Sequence, residues 1–361
     1  MMTFEWPNTT PVTMVCLKKW FETDDTVSLQ IAPKNNDASF DFKPGQFISL
    51  GLPIEKSNPS KIDYRAYSIS SIPGQVHLQL TIKRVENGAM SNYIVDSLKE
   101  GDEVQVLKPA GIFNTVDHAP KRNTERQKVV LISAGCGITP VMSMAKTWLS
   151  DEQASTVDID FVHMAKSPLQ TIYFSELEQM DEEHANFNLK LLLKDNQSTR
   201  HPQGRLDAQW LQQLCSDILE RTVYLCGPVS FMEDMENNLK EMGFDMAHFH
   251  QESFTPTAEE SNQEEALVEQ QASGAVSIHV PDFGASLEAE HGAPLIDALE
   301  GAGLPIIAAC RSGICGSCKC KVNKGEVRST SQETLTPEEI EQGYVLACSS
   351  QVHSDVEVSL N

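Results

Sequence analysis

Four cysteines near the C-terminus, Cys310, Cys315, Cys318 and Cys348, follow the pattern C-x4-C-x2-C with the fourth 30 residues further on. Four thiolates at this spacing hold a [2Fe–2S] cluster of the plant type. A chain that carries it must wrap one loop around an anionic cluster and return a distant cysteine to the same place. Between Cys310 and Cys318 the sequence reads Cys-Arg-Ser-Gly-Ile-Cys-Gly-Ser-Cys. Gly313 and Gly316 can take positive φ and allow close backbone approach, so that amides point at the bridging sulfides as they do in anion-binding nests. Disulfides and a zinc site are the competing readings. Structural zinc ligands usually come as two short paired arms, whereas here three thiols crowd one loop. Cys320 falls at the start of an expected strand, Lys319–Val322, and is read as non-ligating. Such a cluster passes one electron at a time, so the remaining 300 or so residues must supply the electrons.

A length of 361 residues suggests two to three domains. The longest uncharged apolar stretch, Val129–Ile138, is too short to span a bilayer. Met1–Val12 lacks the basic start and apolar core of a signal peptide. The expectation is a soluble, cytoplasmic protein with no membrane span. Cys16, Cys136, Cys215, Cys226 and Cys320 remain outside the quartet. An odd set of scattered thiols points to a reducing compartment. A net charge of −23 argues against nucleic acid as a partner. One basic cluster runs against that balance: Arg311, Lys319, Lys321, Lys324 and Arg328 against Glu326 alone. It reads either as a collar for an acidic acceptor or as ordinary surface.

Three modules follow in order. Residues 1–120 hold short apolar or alternating runs at Val12–Lys18, Val27–Ala32, Gln46–Leu50, Tyr67–Ser70, Val76–Ile82 and Val104–Leu107, with a helix over Met90–Leu98. Their turn signals suggest a small antiparallel barrel. Residues 127–255 change rhythm. A continuous strand, Val129–Ala134, meets Gly135-Cys136-Gly137-Ile138-Thr139-Pro140, and a helix buries Val141, Met144, Ala145 and Trp148. Strands at Val157–Val162, Leu189–Leu193 and Val223–Cys226 alternate with helices, one expected to start with a capping box from Ser230 to Glu233. The alternation implies a parallel α/β sheet with its crevice at the strand C-termini. Residues 256–273 carry five Glu and no base, as an acidic flexible linker would. Residues 274–361 contain strand Val276–Val280, a helix near Pro294–Glu300, the cluster loop, and a capping box at Thr336 closed by Gly343. This fits a β-grasp ferredoxin.

These residues together resemble the ferredoxin–NADP⁺ reductase superfamily fused to a plant-type ferredoxin, over nearly all of 10–361. The flavin motif R-x-Y-S stands as Arg65-Ala66-Tyr67-Ser68. The resemblance implies that Arg65 meets the flavin phosphate, Tyr67 packs on the ring and Ser68 lies near flavin N5. Thr81-Ile82-Lys83-Arg84 and Gly88-Ala89-Met90-Ser91 resemble the remaining phosphate contacts, with Ser91 at a helix N-terminus. Gly135, Gly137 and Thr139 resemble the dinucleotide loop. Cys226-Gly227-Pro228 matches the family's C-G-P motif beside the hydride-transfer position, and Glu252 and Phe254 match a terminal acid and a ring that covers the flavin. On this resemblance Ser68, Cys226, Glu252 and Phe254 are the catalytic candidates.

Among such fusions the chain resembles NADH-dependent reductases of hybrid cluster proteins, through Ala66–Ser71, Ala134–Pro140 with Met142–Met144, and Tyr344–Ser349. The reductases of Rieske-type demethylating oxygenases share much of the same ferredoxin region. The implied path runs from NADH through FAD (FMN in some related fusions) and the [2Fe–2S] cluster to hybrid cluster protein, with a Rieske oxygenase as the alternative acceptor. A redox sensor with a tethered ferredoxin module is the reading from another class. NADH over NADPH follows from the isolated Lys166 and Lys194, and Lys166-Ser167-Pro168 departs from the family's usual arginine.

Overall fold

The computed structural model describes residues 2–7, 10–34, 37–54, 62–121, 126–150, 157–254, 274–311, 313, 315–332 and 334–360. The expected linker at 256–273 lies outside the described residues. The chain divides into two compact units, one built from most of residues 1–254 and the other from 274–361 together with the short segments 49–51 and 63–66.

The first sheet is made by β1 (Val12–Thr23), β2 (Thr26–Ala32), β3 (Phe47–Leu52), β4 (Asp63–Ser68), β5 (Leu78–Lys83) and β6 (Glu103–Val106), in the order β4-β3-β6-β1-β2-β5. The pairs β1–β2, β1–β6 and β2–β5 are antiparallel. An antiparallel bridge between Ile69 and Leu80 joins the two outer strands, which curls the sheet into a barrel. Helix α1 (Ala89–Asp96) lies between β5 and β6 and buries Met90, Ile94 and Val95. All six expected strands are present, but β1 runs on to Thr23 and β4 begins at Asp63. In the β1 extension Lys19 and Glu22 fall on opposite faces, with Glu22 bonded to the buried Ser28, and in β4 Asp63 and Arg65 flank Tyr64, so neither extension shows a clean apolar alternation.

The second sheet is parallel. It holds β7 (Gln127–Ala134), β8 (Val157–Ala165), β9 (Phe187–Leu193), β10 (Thr222–Cys226) and β11 (Phe249–Glu252), in the order β11-β10-β7-β8-β9. Helices α2 (Ile138–Ser150), α3 (Phe174–Glu183), α4 (Ala208–Leu214) and α5 (Val229–Glu241) connect the strands. The chain runs outward from β7 through β8 to β9, then crosses back to β10. Strand order therefore reverses between β7 and β10, and a crevice opens there beyond the strand C-termini. One core cluster packs Val129, Leu131, Ile159 and Phe161 with Val141, Met144 and Ala145 of α2. The expected capping box at Ser230 does not form. Pro228 is the N-cap of α5 and makes no side-chain cap bond, because the Gly-Pro turn after β10 starts the helix two residues early.

The C-terminal sheet holds β12 (Ala275–Val280), β13 (Ala285–Glu290), β14 (Lys319–Lys324), β16 (Tyr344–Leu346) and β18 (Val356–Leu360), ordered β13-β12-β18-β14-β16, while β15 (Val327–Ser329) pairs with β17 (Ser350–Val352). Helix α6 (Leu295–Gly301) buries Leu295, Ile296 and Leu299 against it. Helix α7 (Pro337–Glu341) carries the expected reciprocal box between Thr336 and Glu339. The architecture is an antiparallel barrel, a parallel α/β domain and a β-grasp domain. No helix of the described residues is long and apolar enough to cross a membrane.

Candidate functional site

At the switch point the turns after β7 and β10 meet backbone to backbone. A Cβ placed on Gly137 would lie 2.2 Å from the carbonyl oxygen of Cys226 and 2.7 Å from the amide nitrogen of Gly227. Only glycine permits that approach. Gly135 has φ +54 and nothing within 4 Å of where its Cβ would stand, so its side faces open space. Gly227 packs under the Phe231 ring, 2.8 Å from a virtual Cβ. The Thr139 hydroxyl is buried and donates to the Cys136 carbonyl at 3.0 Å, tightening the turn from inside. Next to β10, the β11 register sets Glu252 opposite Cys226. Phe254 follows with 49% of its surface exposed. Burial first, and then the nearby Glu252 carboxylate, hold the Cys226 thiol well above its usual range. Burial raises Cys136 to about 11. Both groups are neutral thiols at physiological pH.

On the barrel side, β4 alternates Tyr64 inward and Arg65 outward, with the Arg65 guanidinium donating to the Tyr64 carbonyl at 2.6 Å. Ala66 and Tyr67 are half-buried. Ser68 is buried, and its Oγ has no hydrogen-bond partner. An unsatisfied buried hydroxyl costs about 1–3 kcal/mol, which a ligand's polar edge would recover. At α1, Gly88 is the N-cap with no side-chain cap bond, and the first turn carries no acid. Its first-turn amides are a ready anion site. A Cβ on Gly88 would meet Ser91 Oγ at 2.7 Å. The Ser91 hydroxyl itself serves the turn, accepting from the Val85 amide at 3.1 Å and lying 3.3 Å from the Gly88 carbonyl. An orphaned hydroxyl and an uncapped helix start both fit a flavin phosphate and ring.

The β5 motif separates by direction. Thr81 points inward, hydrogen-bonded to Ser28 Oγ at 2.7 Å and to the Tyr173 hydroxyl. Ile82 is core, Lys83 pairs with Asp25 at 3.0 Å, and Arg84 pairs with Asp96 at 2.6 Å. What Thr81 and Ile82 offer a ligand is therefore backbone. Tyr173 was not legible from sequence, since its partner Thr81 lies 92 residues away.

In the ferredoxin domain the four quartet sulfurs face one another. The thiol of Cys315 is pushed up chiefly by Cys310, and that of Cys348 by Cys310 and Cys318. Metal loading there must displace protons. Gly313 (φ +74) donates its amide to Cys348 Sγ at 3.2 Å, and Cys348 donates its amide to Cys318 Sγ at 3.4 Å. These sulfur-directed amides fit an anionic cluster. Among the described residues no three His, Cys, Asp or Glu side chains are placed to hold one metal ion. A two-iron cluster held by four thiolates does not ask for that geometry. Cys320 is fully buried in the apolar core, and burial raises its thiol to about 12.

Cations of the basic collar meet carboxylates from other elements. Arg311 pairs with Asp297 and Glu300, Lys319 with Glu339, and Lys324 with Glu357. Residues 274–361 hold five basic and twelve acidic side chains, so the domain is acidic in sum.

Residues 14–115 match the oxidoreductase FAD-binding domain family, 131–237 the oxidoreductase NAD-binding domain family, and 278–353 the 2Fe-2S iron-sulfur cluster binding domain family. The glycine betaine monooxygenase reductase subunit of Pseudomonas aeruginosa is 37% identical over 329 residues, covering 88% of this chain and 87% of that protein. The NADH oxidoreductase HCR of Escherichia coli is 33% identical over 318 residues, covering 88% of each. Phthalate dioxygenase reductase, described as a modular structure for electron transfer from pyridine nucleotides to [2Fe–2S], aligns with TM-score 0.61 at 21% identity over 97% of this chain and 98% of its own.

Proposed function

We propose, from the premise that this chain belongs to the family of NADH oxidoreductases built from FAD-binding, NAD-binding and C-terminal [2Fe–2S] domains, that it is the reductase component of a Rieske-type demethylating oxygenase. The observation that carries this reading is the 37% identity, over nearly the whole chain, to a monooxygenase reductase subunit. It favours an oxygenase acceptor over the hybrid cluster protein to which the sequence motifs first pointed. Bound in these sites, FAD and the [2Fe–2S] cluster would supply the exchange of a two-electron donor for one-electron delivery.

The chain's own groups bind and orient. Gly135, Gly137, Gly227 and Pro228 shape the backbone cradle for the dinucleotide, and Thr139 fixes its curvature. Cys226 borders the transfer position as a neutral thiol, so it excludes water without adding charge. Ser68 offers its hydroxyl to the flavin edge, with Ala66 and Tyr67 against the ring and Arg65 toward the phosphate. The α1 amides after Gly88, at Met90 and Ser91, hold the phosphate, and Thr81, Ile82 and Lys83 contribute backbone. Glu252 stands behind Cys226, and the half-exposed Phe254 ring can cover the flavin and yield to nicotinamide. Cys310, Cys315, Cys318 and Cys348 hold the cluster as thiolates. The NADH preference rests on the isolated Lys166 and Lys194, and the guanidiniums of the loop after β9 meet carboxylates, Arg200 with Glu178 and Asp181 and Arg205 with Asp234.

The test is NADH consumption by the purified reductase with two acceptors, a Rieske-type demethylating oxygenase and hybrid cluster protein. Faster cluster-dependent turnover with the oxygenase is expected. Preference for hybrid cluster protein would overturn the choice of acceptor, and preference for neither would favour a sensor.

A further inference from the structure

We propose that Tyr173 is a positioning residue that references the Gly135–Gly137 turn of the nucleotide domain to the flavin barrel. The proposal rests on reading the crevice as the hydride-transfer site. Tyr173 precedes α3 as its N-cap, at φ 61 and ψ 26. An aromatic residue holds this left-handed conformation only where its surroundings over-determine it. It makes no side-chain cap bond to its own helix. Its hydroxyl instead crosses to Thr81 Oγ1 on β5.

Proton counting sets the direction of the chain of bonds. Glu22, as a carboxylate, can only accept, and it takes hydrogen bonds from Trp20 Nε1 at 2.7 Å and Ser28 Oγ at 2.6 Å. Ser28 has then spent its one proton, so Thr81 donates to Ser28 across 2.7 Å. Tyr173 must in turn donate to Thr81. The chain of bonds ends on the Glu22 carboxylate, and the Tyr173 phenol, which also lies beside Ser70, donates its one proton into it.

Thr81 also faces the nicotinamide turn, because its carbonyl accepts from Cys136 Sγ at 3.6 Å. One barrel residue thus grips Tyr173 through its side chain and the middle of the Gly-Cys-Gly turn through its backbone. Lys146 of α2 lies over the Tyr173 ring at 5.4 Å and pairs with Glu176 of α3 at 2.7 Å, which ties the helix after the turn to the same point. A second latch stands beside it, where Ser143 of α2 donates to the Ser71 carbonyl at 2.7 Å. Hydride transfer tolerates little misplacement, since a 1 Å error costs about 100-fold in rate.

The experiment compares wild type, Tyr173→Phe, Thr81→Val and Thr81→Ser as full-length FAD-loaded protein. Tyr173→Phe should leave FAD content unchanged and NADH affinity within about twofold, because it removes one hydroxyl from the joint and none from the cradle. The limiting rate of flavin reduction in stopped flow should fall about tenfold, a fraction of the full misplacement cost. The long-wavelength charge-transfer band of the NAD⁺–reduced flavin complex should weaken, and amide exchange at 135–139 should quicken. Thr81→Val should reproduce this, and Thr81→Ser, which keeps the hydroxyl, should restore all three readouts. Wild-type rate, band and exchange in both Tyr173→Phe and Thr81→Val would overturn the proposal, as would a lowered melting temperature with rate and band intact. If wild-type flavin is not reduced by NADH at all, the reading of the crevice fails first.

Discussion

Replacing Gly137 with alanine should uncouple NADH from the flavin while leaving the flavin in place. The added methyl would stand 2.2 Å from the Cys226 carbonyl oxygen and 2.4 Å from its carbon. Both are backbone atoms of a fully buried strand end, so no flexible side chain can give way. One turn must retreat by about 1 Å to reach ordinary van der Waals contact, and a displacement of that size at a reacting centre costs about 100-fold in rate. Overpacking adds about 1–3 kcal/mol of destabilisation. Gly135→Ala is the matched control. There the methyl would meet nothing within 4 Å, and the burden is the φ of +54, a backbone cost of about 1–2 kcal/mol. The assay is anaerobic stopped-flow reduction of bound FAD, by NADH and separately by dithionite, with melting temperatures in parallel. Gly137→Ala should lose about two orders of magnitude with NADH and keep its dithionite response. Gly135→Ala should melt earlier but retain most of the NADH rate. Equal NADH rates in Gly137→Ala and wild type would refute the claim that contact between the two turns places the nicotinamide.

Iron analysis should separate two neighbours: Cys318→Ser should lose the cluster, and Cys320→Ser, altered only in an apolar core, should keep it. Loss of iron in both beyond what their folded fractions explain would contradict the assignment. Burial lowers the pKa of His163 to about 3, and burial with His118 and His248 lowers that of His250 to about 4. Both imidazoles are neutral when folded, so their contribution is full above the unfolded value near 6.5 and is lost as pH falls toward the folded values. His163 alone should cost about 2 kcal/mol by pH 5, and urea titrations at pH 7 and 5 that agree would exclude it. The ferredoxin domain carries a net acidic charge, so turnover with an oxygenase that meets it through a basic face should fall as salt rises, while a small neutral acceptor should be unaffected.

The sequence revealed what depends on local spacing. The cysteine pattern, the two glycine turns and the strand–helix alternation each lie within a few tens of residues, and each recurs as an element or loop of the fold. The Thr336–Glu339 box formed as read because both partners lie within one turn. The pairing within the basic collar was not legible, because the carboxylates that meet Arg311, Lys319 and Lys324, namely Asp297, Glu300, Glu339 and Glu357, come from other elements. Ser230 failed as a cap because the turn before it already set the helix start. The domain joint through Thr81 and Tyr173 depends on a contact that no local pattern encodes. The unsatisfied Ser68 hydroxyl, similarly, becomes visible only when its neighbours can be counted.

On the proposed path, electrons from NADH reach the oxygenase through the flavin and then the cluster. Anaerobic titration with NADH, followed by flavin absorbance and by electron paramagnetic resonance of the reduced [2Fe–2S] centre, tests it in wild type and Cys315→Ser. The account predicts that both centres respond in wild type, whereas Cys315→Ser bleaches its flavin and supports no turnover of the oxygenase. A wild-type cluster that stays oxidised beside a reduced flavin would contradict it, as would sustained turnover by Cys315→Ser.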